Sequence, residues 1–230
     1  RQGMRSFFKN LSVFSIFLLS LVLLYGESLY DLPRSDHSLL FTIYEGLSWN
    51  TESLKNAISV AFFGDRRFQP LAFPLHFLQI RAFWDNIFLY HLLNLALHAF
   101  NGFLLFKGLN HFYKNPLLSF LNASVFLFAF THVDFLAWPF HFYSLLQVSL
   151  VLASLLLLIK GGGGRKAYLI TAYGLSLIQA YLYEPGVVFP LFLLAADLYI
   201  HRAWIRNILK ERLILVTCVY AIYLITLALF

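Results

Sequence analysis

Charge is what this chain has least of. Only 12% of its 230 residues are Asp, Glu, Lys or Arg, where a soluble domain carries about a quarter. With 60% hydrophobic and 19% aromatic residues, a soluble fold of this length is excluded, because its surface would lack polar groups to cover it. Cysteine is reduced to Cys218, which lies inside an apolar run, so no disulfide framework holds the fold. Basic residues form no stripe with interleaved aromatics, which excludes a nucleic-acid surface.

What is present in excess is length of apolar sequence. Seven runs approach the ~20 residues needed to cross a bilayer: 11–28, 87–106, 117–130, 142–159, 167–182, 187–200 and 213–230. The sequence therefore predicts an all-α integral membrane protein, one transmembrane domain over 1–230, with about seven transmembrane helices. The first run is expected to be a retained helix, since Gly26-Glu27-Ser28 is a poor cleavage site. Arg1, Arg5, Lys9, Lys107, Lys114, Lys160, Arg165, Lys166, Arg202, Arg206, Lys210 and Arg212 fall in alternate gaps, twelve of the seventeen basic residues. The positive-inside rule makes those gaps and the N-terminus cytoplasmic. Nine of the eleven acids fall on the opposite side, all but Asp197 and Glu211. The expected location is the cell (inner) membrane, with several passes and membrane lipids as first partners.

The first outer gap, 29–86, is far longer than the others, and loops of that length are uncommon and often functional. Asn50-Thr51-Glu52 is placed to cap a helix through Ala61. The aromatic segment 68–84, interrupted by Pro70 and Pro74, suits the membrane interface. Glycines 161–164 read as a flexible turn, because they lack the Lys-Ser/Thr ending of a phosphate loop.

Polar residues within apolar runs carry the functional signal. His91, Asn94, His98 and Asn101 recur at spacings of three, four and three, which puts them on one helical face. Such a face is costly against lipid, so it must meet other helices or a wet cavity. The first helix or the first outer loop is its expected neighbour. No metal is assigned to it. At the outer edge stand Asp31, Asp36, His132, Asp134 and Glu184, and a carboxylate there can act as a general base or hold a metal. Arg34, Arg66, Arg67 and Arg81 share that side, and guanidinium groups match phosphate geometry.

The stretch Phe68-Gln69-Pro70-Leu71, followed by Tyr90-His91-Leu92-Leu93-Asn94-Leu95-Ala96-Leu97-His98-Ala99-Phe100-Asn101, resembles a recurrent pattern of GT-C-fold membrane glycosyltransferases. These include protein O-mannosyltransferase-like proteins and the tetratricopeptide-containing transmembrane O-mannosyltransferases. His132-Val133-Asp134-Phe135-Leu136-Ala137-Trp138 is similar to the family's His-Val-Glu-Ala-Val-Ala-Trp, and Glu184, Pro190 and Asp197 keep its later order. The resemblance implies transfer of a sugar from a polyprenyl-phosphate donor to an acceptor outside the cytoplasm, with no further cofactor. It implies a catalytic acid in the first outer loop, for which Asp36 is the nearest candidate and Asp31 the second. Arg34, Arg66, Arg67 and Arg81 would then hold the donor phosphate, and His91, Asn94, His98, His132, Asp134 and Glu184 would wall the cavity. The family's adjacent acids are here five residues apart, and Gln69 replaces its Arg. A non-catalytic subunit built on the same scaffold, packed against other membrane protein subunits, is the alternative.

Overall fold

A computed structural model describes residues 2–30, 52, 55, 70–84, 86–129, 136, 141–161, 166–182, 184–201 and 205–229. Among the described residues every regular element is helical. The helices are α1 (Gln2–Tyr25), α2 (Ala72–Phe83), α3 (Ile87–Tyr113), α4 (Pro116–Phe128), α5 (Phe142–Gly161), α6 (Lys166–Leu182), α7 (Phe189–Ile200) and α8 (Ile205–Leu229). Two 3-10 turns, Gly26–Tyr30 and Glu184–Val188, accompany them.

Among the described residues three helices are long and apolar enough to cross a membrane: α3, α5 and the Leu209–Ala228 part of α8. They mark the chain as a membrane protein. Each of the seven apolar runs falls mainly on a helix. The stretches Asn10–Tyr25, Pro116–Phe128 and Pro185–Ile200 are apolar but shorter. At about 1.5 Å per residue, α4 reaches roughly 20 Å, against a hydrocarbon core of about 30 Å. Large apolar side chains stand exposed on several helices, among them Leu23 at 76%, Val125 at 72% and Ile225 at 59%. In water such a surface invites aggregation; in lipid it is the surface a spanning helix needs.

Local sequence explains the helix ends. Lys114 adopts a left-handed conformation (φ 51°) that closes α3, its N–H donating to the Asn110 carbonyl. The next residue, Asn115, caps α4, its side-chain oxygen accepting from the N–H groups of Leu117 and Leu118 at 3.1 and 3.2 Å. Pro116 follows at the first helical position, where no N–H is required. The two prolines of 68–84 do not break a helix. Pro70 precedes α2 and Pro74 sits in its first turn, whose N–H groups have no intrahelical partner anyway. The helix expected after Asn50 lies outside the described residues except for Glu52 and Lys55, which are helical and exposed. Asp31, Arg34, Asp36, Arg66, Arg67, His132 and Asp134 also lie outside the described residues.

The chain divides into two compact units, Arg1–Leu47 with Gln79–Ser149, and Ser48–Leu78 with Leu150–Phe230. In the first unit α1, α3 and α4 pack together. Phe17, Leu21, Leu95, Ala99, Ala123 and Leu127 form its core, and Phe17 stacks on Phe120 with ring centroids 5.0 Å apart. Gly102 permits the approach of α3 to α4: a Cβ there would lie 2.5 Å from Leu127 Cδ1. In the second unit α6, α7 and α8 surround Leu158, Leu169, Tyr173, Phe189, Leu193 and Val216. A backbone bond of 3.1 Å from Leu71 N–H to the Tyr181 carbonyl ties the turn before α2 to the end of α6.

Candidate functional site

The polar face of α3 is buried along its whole length. His91 is 1% exposed, and Asn94, His98 and Asn101 are fully buried. A carbonyl oxygen only accepts, so each partner found fixes a donor. His91 donates from Nδ1 to the Leu136 carbonyl at 3.2 Å. His98 donates from Nε2 to the Leu127 carbonyl at 3.0 Å, with the Phe126 ring 5.4 Å away. Asn101 donates to the Leu145 carbonyl at 3.0 Å, and its own oxygen accepts from Ser149 Oγ at 2.5 Å. These bonds join α3 to α4, to α5 and to Leu136, over sequence separations of 29 to 48 residues. The face thus meets protein, as its cost in lipid requires.

Most of the first outer loop, one of the two neighbours expected for this face, lies outside the described residues. The hydrogen bonds shown for the face run to residues 127, 136, 145 and 149, whereas α1 meets α3 through apolar side chains. A polar link also joins α1 to α3, from Lys107 Nζ to Asn10 Oδ1 at 3.2 Å. Near one end of α3, the Tyr90 hydroxyl donates to the Trp84 carbonyl at 2.9 Å. Arg81, expected at a phosphate, is half-buried with its guanidinium 5.9 Å from the centroid of the Trp84 ring. Of the other expected site residues, Glu184 opens the 3-10 turn of the second unit. Asp36, Asp31 and the remaining arginines fall outside the described residues, so the geometry brings together only the α3 set.

A second polar cluster was not singled out from the sequence as a site. Asp197 is fully buried near the end of α7. One oxygen accepts from Arg212 Nε of α8 at 2.6 Å, and the other meets His201 Nδ1 at 2.7 Å. Arg212, 6% exposed, also reaches Glu211 at 3.5 Å. The Tyr173 ring of α6 is buried in the apolar core of the same unit. The signal was available: a lone acid inside the run 187–200, with a histidine four residues on, demands a cation nearby. Among the described residues no group of three or more His, Cys, Asp or Glu side chains is arranged to hold a metal.

No family model, curated protein or solved structure matches the chain.

Proposed function

We propose that the chain is a multi-pass membrane protein of the GT-C glycosyltransferase type. In this reading seven helices cross the membrane, the N-terminus is cytoplasmic and 29–86 lies outside. It transfers a sugar from a polyprenyl-phosphate donor to an acceptor on that outer side. Asp36 acts as general base toward the acceptor, with Asp31 as the alternative. Arginines among Arg34, Arg66, Arg67 and Arg81 neutralise the departing phosphate, whose charge grows as the glycosidic bond breaks. The observation that carries the reading is the bond from His91 to the Leu136 carbonyl, which joins two separate segments of the family-like pattern. The charge sorting along the sequence supports the same orientation.

The test is transfer by purified protein in vesicles, with radiolabelled polyprenyl-phosphate mannose or glucose. Wild type is expected to transfer, and Asp36→Asn to lose about 10²–10⁴-fold in rate. Loss in Asp31→Asn with full activity in Asp36→Asn moves the base to Asp31. Absence of wild-type transfer supports the second reading, an accessory subunit on the same scaffold. One observation favours that alternative: the polar face of α3 ends on backbone carbonyls of packed neighbours, as in a helix-packing seam.

A further inference from the structure

We infer that the Lys210 end of α8 is a binding site for an anionic phospholipid, whose two acyl chains straddle Ile214. Two grooves run along α8 on either side of this residue. One is lined by Lys210, Leu213, Ile214, Thr217 and Cys218. The other lies against α6, with Lys166, Glu211 and Arg212 in its lining beside Ile170, Ile214 and Leu215. Each groove has a lysine at the same end and is lined mainly by apolar side chains beyond its charged end. Ile214 is 53% exposed between them, and Ile170 on the far wall is 60% exposed, so both grooves open toward lipid.

The charges at that end select the headgroup. Asp197 and Glu211 hold Arg212. Glu211 also pairs with Lys166 at 3.3 Å, both side chains being more than half exposed. Among the described residues Lys210 has no carboxylate partner, although it is exposed at the mouth of the first groove. Among the described residues the cluster therefore presents one positive charge without a carboxylate, Lys210, beside a loosely held second lysine. A phosphodiester of net charge −1 matches it, and a choline headgroup would set a further cation against the same end. Basic pockets at the ends of transmembrane helices recognise lipid phosphates on this principle.

The chain contains its own probe position. Cys218 is its single cysteine, is exposed and lines the first groove. It lies roughly 12 Å along the helix from Lys210, among acyl chains. A bimane dye on Cys218, in phosphatidylcholine nanodiscs, is titrated with phosphatidylglycerol or phosphatidylcholine brominated in the acyl chains. Half-maximal quenching is expected at about fivefold lower mole fraction of the anionic lipid, the gain of one lysine near an anionic phosphate. Lys210→Gln abolishes that preference, Lys210→Arg keeps it, and Lys166→Gln weakens it. Native mass spectrometry of the unlabelled protein from mixed nanodiscs, counting retained lipids, checks that the dye does not create the site. Both lysines are exposed and outside the proposed transfer machinery, so these variants leave transfer unchanged. Equal quenching by the two lipids, or a preference that survives Lys210→Gln, overturns the inference.

Discussion

The two units solve the problem of polar groups in an apolar medium differently. In the first, His91, His98 and Asn101 carry no obligatory charge and end on carbonyls of their neighbours. In the second, a carboxylate and a guanidinium are buried against each other, with a histidine on the remaining oxygen. A seam of hydrogen bonds to carbonyls spreads its cost over several modest bonds, each near 1 kcal/mol or less in a membrane protein. An ion pair concentrates cost and gain in one contact, and removing one partner strands the other. The first unit is therefore expected to weaken gradually under substitution and the second to fail at a single point.

The largest expected effect follows from that asymmetry. Asp197→Ala leaves Arg212 buried without its carboxylate and is expected to cost about 3–5 kcal/mol. Thermal unfolding in detergent, read by intrinsic fluorescence, measures it. The pair Asp197→Leu with Arg212→Met removes both charges and should recover most of the loss, because an ion pair and apolar groups of similar volume are often equivalent in a core. A double variant no more stable than Asp197→Ala would show that the cluster holds more than one charge pair. Next in size is Gly102→Val. Its added carbons must displace the fully buried Leu127, an overpacking cost of about 1–3 kcal/mol, set against a helix propensity that improves on glycine. Unchanged stability would mean that α3 and α4 separate readily. Asn101→Leu ranks third. It deprives the Leu145 carbonyl and Ser149 Oγ of a shared partner, at about 1 kcal/mol. A loss as large as that of Asp197→Ala would erase the contrast between the units.

What could be read from the sequence was what repeats or what is scarce. Apolar runs of spanning length lie on helices because a segment without charge can bury its backbone bonds only in itself. The polar face of α3 was legible because spacings of three and four admit one helical side. Its partners were not, since they are main-chain carbonyls at 127, 136 and 145, and every residue carries one. Asp197 and Arg212 were visible singly. Their pairing depends on α8 packing against α7 across fifteen positions, which no periodicity encodes. Pro74 read as an interruption because proline is judged by its missing N–H, and in the first turn of α2 that N–H has no intrahelical acceptor to lose.

The smallest effect sharpens the comparison from inside the second unit. Lys166 and Glu211 form an ion pair at 3.3 Å, with side chains 75% and 52% exposed. Water and mobile ions screen such a pair, and holding two long side chains together costs rotamer freedom, so its net worth is at most about 1 kcal/mol. Glu211 also touches Arg212, so Glu211→Gln perturbs two contacts and Lys166→Gln only one. Lys166→Gln is expected to change unfolding by no more than about 1 kcal/mol, less at 0.5 M salt than at low salt. Asp197→Ala, by contrast, is expected to be nearly salt-independent, because its pair is shielded by protein. Burial, rather than charge, is what separates the two ion pairs, and the salt series in both variants measures that separation directly. A Lys166→Gln loss that matched Asp197→Ala and ignored salt would place both pairs in the same buried network and remove the distinction.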